Sequence, residues 1–233
     1  MKTHPAAEKP GLRKKAKPVL SRRIIIIANG DLSDHEFYRR LFKADDYVIC
    51  VNGGTGHALA MNLSPDLVIG DLDSLNPADR EKIEQLNPGI IKHPSAKEKS
   101  DLELAVDQAV EMKPAEILIV GALGGGRADH AFVNLLLLNI PLQNGIPARI
   151  VDERQTVQLV KDSAVIEGKP GDYFSLFALT GEAKGITTEN LKFPLKNESL
   201  YFASTRGLSN ELTASRARVT LKSGLLLAIK TTR

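Results

Sequence analysis

Between residues 23 and 152 the sequence repeats one unit: a short aliphatic run, a cluster of Gly, Asn or Asp, and then apolar residues at helical spacing. The runs at 24–28, 47–51, 67–69, 116–120 and 148–151 are short and rich in Ile and Val, which reads them as strands. Between them, Leu102, Ala105, Val106 and Ala109 recur at the 3.6-residue period, and a second helical pattern runs from Ala128 through 135–138. Strands alternating with helices in this way specify a parallel sheet covered on both faces. After Asp152 the helical period disappears. Alternating segments at 156–160, 173–178, 218–221 and 225–230 are separated by Gly, Pro and Asn turns, which is an all-β pattern. The expected fold class is therefore α/β, with a parallel-sheet α/β domain over 23–152 followed by a β-sandwich domain over 153–233. No long linker separates the two, so they are expected to pack together.

The formal charge of +3 conceals an asymmetry, because residues 1–23 hold eight Lys/Arg against one Glu and the body is consequently net acidic. The short, basic, Pro-containing segment 1–22 reads as a flexible tail without an assigned function. No apolar run approaches the roughly 20 residues that span a bilayer, and the run 24–27 is too brief for a secretory signal. A cytoplasmic protein with neither membrane nor nucleic acid as a partner is expected. The single Cys50, set in an apolar strand, excludes an internal disulfide framework and a thiolate metal cluster. Asp, Asn, His and Gly must supply the polar chemistry.

Those residues collect where strands end. Asn29-Gly30-Asp31, Asn52-Gly53-Gly54, Gly70-Asp71-Leu72-Asp73-Ser74 and the stretch 121–130 each follow a strand. In open α/β sheets ligands bind outside the carboxyl ends of the strands, so these loops are expected to meet at one site. Asp71 and Asp73, two positions apart in an extended segment, point the same way and can share a hard divalent cation. The plainer alternative is a solvated loop with Ser74 or Asn76 capping the helix that follows Pro77. Ser100-Asp101-Leu102-Glu103 has the form of a capping box, which explains Asp101 structurally and also fixes it as a possible third carboxylate, with Lys97 and Lys99 just upstream. In the stretch 121–130, Gly124, Gly125 and Gly126 allow backbone N–H groups to approach an anion at a helix start, and Arg127 offers a fork of donors beside Asp129 and His130. The spacing fits neither the P-loop nor the dinucleotide fingerprint. Together these features point to a magnesium-dependent enzyme that moves phosphorus from a nucleoside triphosphate to a small-molecule hydroxyl.

Taken in order, Gly70 to Ser74, Lys97-Glu98-Lys99-Ser100-Asp101, Gly121 to His130 and Gly207-Leu208-Ser209-Asn210-Glu211 resemble the motif series of thiamine pyrophosphokinases. The resemblance implies transfer of diphosphate from ATP to thiamine, giving thiamine diphosphate and AMP. It implies an ATP- and Mg2+-binding first domain, a thiamine-binding β-sandwich, and a homodimer with thiamine at the subunit interface. Carried over by position, Asp71, Asp73 and Asp101 hold magnesium and act in catalysis. Asn29, Gly30, Gly53, Gly54, Lys97, Ser100, Gly124, Gly125, Gly126, Arg127, Asp129 and His130 bind ATP, and Ser209 and Asn210 reach thiamine. Three departures stand out: Asn52 occupies the place of a common Asp, Glu98 that of a usual Asp, and the chain has no Trp, leaving Phe193, Tyr201 or Phe202 for stacking on thiamine. The competing readings are a kinase or diphosphokinase for another alcohol, and a catalytically silent nucleotide or thiamine sensor.

Overall fold

In a computed structural model, residues 22–70, 75–92 and 98–233 are described. Six parallel strands build the first half: β1 (Arg23–Ile27), β2 (Tyr47–Val51), β3 (Leu67–Ile69), β4 (Gly89–Ile91), β5 (Glu116–Val120) and β6 (Ala148–Val151). Their spatial order is β6-β5-β1-β2-β3-β4. Strand β1 lies at the centre, and its four consecutive isoleucines are wholly buried. Because side chains alternate along a strand, Ile24 and Ile26 enter one core and Ile25 and Ile27 the other. The first core is closed by α4 (Asp101–Glu111), α5 (Ala128–Leu137) and α6 (Asn139–Gln143). The second is closed by α1 (His35–Leu41), α2 (Gly54–Ala60) and α3 (Pro77–Leu86). Each of these isoleucines contributes roughly 1.5–3 kcal/mol of burial.

Helix starts follow the sequence signals. Ser100 caps α4 by accepting from the Glu103 backbone N–H at 3.1 Å, and Asn76 caps α3 by accepting from Asp79 at 2.9 Å, with Pro77 in its first turn. Strand β4 is an addition to the sequence expectation. It is three residues long, begins with glycine and is largely exposed, so no hydrophobic pattern announces it.

The second half comprises β7 (Gln155–Val160), β8 (Ser163–Glu167), β9 (Tyr173–Ala178), β10 (Glu182–Glu189), β11 (Lys196–Tyr201), β12 (Asn210–Glu211), β13 (Arg216–Thr220) and β14 (Leu226–Thr231). Strand β7 pairs antiparallel with β6, with Ile150 opposite Val157, so the parallel sheet continues without a break through β7, β14, β9 and β12. The turn between them is closed by Asp152 Oδ1, which accepts from the backbone N–H groups of Arg154 and Gln155 at 2.8 and 2.6 Å. A second sheet, β11-β10-β13-β8, faces this extension, and Phe174, Leu176, Ile186, Leu200, Val219 and Leu226 fill the space between. The α/β-then-sandwich class holds, with the two halves joined edge to edge by one ten-stranded sheet. Among the described residues no helix is long and apolar enough to cross a membrane.

Candidate functional site

A cavity of about 500 Å³ opens at the carboxyl ends of β1, β2 and β5. Of the residues selected from sequence, Asn29, Gly30, Ser100, Asp101, Gly124, Gly125, Arg127 and His130 line it. Asp71, Asp73 and Lys97 fall outside the described residues. Gly53, Gly54, Gly126 and Asp129 do not line the cavity, whereas Asn52, Lys99, Leu102 and Asn134 do. Asn134 stands one helical turn after His130 on α5, a spacing that puts both on one face. Its Nδ2 donates to the Ala122 carbonyl at 2.8 Å, tying the helix to the glycine loop.

Gly53 and Gly54 bring α2 against β1. A Cβ on Gly53 would sit 1.8 Å from Asn29 Oδ1, and one on Gly54 would sit 2.1 Å from the Ile27 carbonyl oxygen. Gly53 has φ −61°, which any residue adopts, so close approach alone requires glycine there. The β1 and β5 loops are likewise joined through their backbones, with Gly30 N–H donating to the Gly121 carbonyl at 2.8 Å. Gly125 N–H donates to Asp31 Oδ2 at 3.1 Å, so the glycine loop already holds one carboxylate.

The charges are held in place by local partners. Asn52 Nδ2 donates to Asp101 Oδ2 at 2.5 Å across the gap from β2 to α4. Lys99 Nζ contacts Asp107 at 2.7 Å and Glu103 at 3.3 Å, so the Glu of the expected capping box pairs with this lysine. Arg127 forks onto Asp129 at 2.9 and 2.6 Å, and that hydrogen-bonded pairing lowers the Asp129 pKa. His57 Nε2 lies 3.0 Å from the Gly30 carbonyl, which can only accept, so Nε2–H donates to it, and burial lowers the pKa of the ring. Glu153, in the β6–β7 turn, accepts from Ser33 Oγ at 2.9 Å, from the Ser33 and Asp34 backbone N–H groups at 3.1 Å each, and from the Tyr38 hydroxyl at 2.8 Å. Burial pushes its pKa up, but the hydrogen bonds outweigh it and hold the carboxylate down at about 2.

Oxygen is the donor chemistry at the β2–α4 gap. Asn52 Oδ1 is buried without a hydrogen-bond partner and packs on Gly70, while Nδ2 faces Asp101. The Asp101 carboxylate is a ligand type that suits a hard divalent cation such as Mg2+. No cluster of three or more His, Cys, Asp or Glu suited to a metal occurs among the described residues, and two of the three expected ligands, Asp71 and Asp73, lie outside them.

A second cavity, about 310 Å³, opens between the sandwich sheets, with Phe174, Leu176, Leu191, Phe193 and Leu208 in its wall beside the polar Thr188 and the charged Arg206. Asn210 lines it and Ser209 does not. The Asn210 amide behaves as a strand neighbour to Phe193, accepting from its N–H at 3.0 Å and donating to its carbonyl at 2.7 Å. Ser209, at φ 59°, donates its backbone N–H to Ser175 Oγ at 3.1 Å. Phe193 is 64% exposed at the rim, whereas Tyr201 and Phe202 are exposed without lining the cavity.

Comparison with known proteins matches both halves. Residues 38–150 match the family described as thiamin pyrophosphokinase, catalytic domain, and residues 156–226 match thiamin pyrophosphokinase, vitamin B1 binding domain. A thiamine pyrophosphokinase of Bacillus subtilis is 31% identical over 186 residues, covering 79% of this chain and 86% of the relative. A solved thiamine pyrophosphokinase from Bacillus subtilis superposes with TM-score 0.82 at 29% identity, over 91% of this chain and 99% of that one. Another from Geobacillus thermodenitrificans gives TM-score 0.79 at 29% identity, over 91% and 98%.

Proposed function

The chain belongs to the thiamin pyrophosphokinase family, and from that premise we propose that it transfers diphosphate from ATP to the hydroxyl of thiamine, giving thiamine diphosphate and AMP. The observation that carries this reading is the convergence of Asn52, Asp101, Gly125, Arg127 and His130 on one cavity at the carboxyl ends of the parallel strands. In the proposed reaction the thiamine hydroxyl oxygen forms a bond to the β-phosphorus, and the bond from that phosphorus to the α,β-bridging oxygen breaks. AMP leaves with the bridging oxygen, and the hydroxyl proton passes to a carboxylate of the site.

Diphosphate transfer depends on positioning and on neutralising charge, with little covalent work for the protein. Asp101 with Asp71 and Asp73 would hold Mg2+, which when bound neutralises charge on the phosphate oxygens. The glycine loop and the start of α5 give backbone N–H donors for the anionic chain, and Arg127 exchanges its Asp129 partner for a phosphate oxygen. Thiamine takes the cavity of the sandwich, with Phe193 at its rim. Exposed apolar side chains on α5 (Phe132, Val133 and Leu136) and around that cavity (Phe193 and Leu208) support a homodimer. The reaction draws on ATP, and we place the protein in the cytoplasm.

Incubating the purified protein with thiamine, ATP and Mg2+ and resolving the products by chromatography tests the reading. Thiamine diphosphate and AMP in equal amounts are expected. ADP in place of AMP would make the protein a simple kinase, and binding of both ligands without product would make it a sensor. Light scattering of the eluted protein tests the dimer.

A further inference from the structure

We propose that Asp31 is a built-in competitor for phosphate: its carboxylate occupies a donor of the glycine loop, weakens the hold of the first cavity on every phosphate-bearing ligand, and so hastens the departure of AMP. The proposal rests on the reading of this cavity as the nucleotide site.

The contact is set by the packing of two strand ends. Gly30 N–H donates to the Gly121 carbonyl at 2.8 Å, and the Gly30 carbonyl is held in turn by His57 Nε2 at 3.0 Å. These bonds fix the loop after β1 against the loop after β5. A Cβ on Gly124 would stand 3.0 Å from the Asp31 backbone nitrogen and 3.1 Å from its Cβ, so the two loops touch there. Gly125 then turns at φ 99°, a conformation open to glycine, and its N–H donates to Asp31 Oδ2 at 3.1 Å. The partners are 94 positions apart, so tertiary packing and not a local turn brings them together.

Three anion-seeking groups on the cavity lining, Arg127, Lys99 and the Gly125 N–H, are each held by a carboxylate, but not alike. Arg127 is held by Asp129, and Lys99 by Glu103 and Asp107 of the helix it precedes. In these pairs a carboxylate that leaves uncovers a cation, which then serves the phosphate. Asp31 sits instead on a neutral amide, and among the described residues no Lys or Arg forms an ion pair with it. A phosphate that takes the Gly125 N–H must displace this carboxylate, and one that settles beside it meets a like charge at close range. Either way the anion binds less tightly, while contacts to the base and sugar are untouched. ATP offsets the loss through a phosphate chain that reaches several donors. AMP has one phosphate to set against Asp31 and leaves sooner.

The test is isothermal titration of the full chain with AMP, with α,β-methylene ATP, which cannot release AMP, and with adenosine, at constant Mg2+. Wild type, Asp31→Asn and Asp31→Ala are compared. Asn keeps an oxygen that accepts from Gly125 N–H and removes only the charge; Ala removes both. The affinities for AMP and the analogue should rise about fivefold in Asp31→Asn and at least as much in Asp31→Ala, and the gain should shrink as salt is raised. Adenosine affinity should stay within about twofold. In turnover, the inhibition constant of AMP should fall about fivefold in both variants. A role confined to holding the loop in shape predicts the opposite sign, with phosphate ligands bound more weakly in Asp31→Ala. Unchanged or weakened AMP binding in both variants, or a gain for adenosine equal to that for AMP, overturns the proposal while leaving the function standing. A wild type that binds neither AMP nor the analogue overturns the reading of the site and the proposal with it.

Discussion

The two cavities hold their polar groups differently. In the α/β half, Asp101, Lys99 and Arg127 are charged groups facing a cavity, each steadied by a neighbour that a ligand can displace or join. In the sandwich half one charged side chain, Arg206, stands among mainly apolar neighbours, and the Asn210 amide is committed at both ends to the Phe193 backbone. The first cavity gathers charges of both signs, Asp101 with Lys99 and Arg127, whereas the second sets the single charge of Arg206 among phenylalanine and leucine side chains. Changes of charge should therefore act on turnover in one half, and changes of packing on thiamine affinity in the other.

The sharpest way to break this contrast is Asp101→Asn. The new amide oxygen still accepts from Asn52, so position is kept and only charge is lost. Turnover measured by AMP release should fall about 10²–10³-fold, in the range seen when one preorganised electrostatic group is removed. The thiamine KM should stay within about twofold, since the lost interaction belongs to the transition state. A large rise in thiamine KM at unchanged kcat would erase the division between the cavities.

A smaller effect is expected from Gly53→Ala, which tests how the first cavity is supported. Its Cβ would fall on the Asn29 side chain, so either α2 or the β1 loop must move. Overpacking of this kind costs about 1–3 kcal/mol, and each kcal/mol lowers Tm by about 2–4 °C in a chain this long. The KM for ATP should rise with it. A variant with unchanged Tm and KM would show that the two loops are not in register.

The counterpart in the sandwich is Asn210→Ala. Removing the amide leaves the Phe193 N–H and carbonyl without this partner, at a cost of about 1–2 kcal/mol. Denaturant unfolding should show that loss, and steady-state kinetics should show a raised thiamine KM, with kcat at saturating thiamine preserved. A fall in kcat alone would place Asn210 in the chemistry.

The legibility of the molecule follows the same division. Central strands such as β1 and β5 were plain in the sequence because burial on both faces demands unbroken aliphatic runs, and strand ends in an α/β sheet converge by topology. That convergence is why Asn29, Ser100, Asp101, Arg127 and His130, drawn from separate stretches, line one cavity. The glycines at 53 and 54 carried a misleading signal, because close helix–strand packing and close ligand approach both demand glycine. Asn134 has one sequence signal, its four-residue spacing after His130, which places both on one face of α5. His57 and Glu153 had no local signal at all, since the partners of Glu153 lie some 115 to 120 positions earlier in the chain. In the sandwich, short strands of alternating pattern announce a class but leave open which turn residues face the cavity, as the separation of Ser209 from Asn210 illustrates.

The mildest prediction concerns the joint between the halves. Glu153 leaves the β6–β7 turn to hold Ser33, Asp34 and Tyr38, just beyond the Asn29-Gly30-Asp31 loop of the first cavity. Its folded pKa lies near 2 against an ordinary value of 4.5, so the unfolded chain takes up the proton first as the solution is acidified. The stability it contributes is fully present above about pH 4.5 and is lost as pH falls through that value toward about 2. Glu153→Gln should remove about 1 kcal/mol at neutral pH, and its unfolding free energy should fall less steeply than that of the wild type below pH 4.5. Because one sheet runs through both halves, each protein should unfold in a single transition followed identically by far-ultraviolet circular dichroism and tyrosine fluorescence. Two separated transitions in the wild type would mean that the β6–β7 pairing does not couple the halves, and that the two cavities sit on independently stable units.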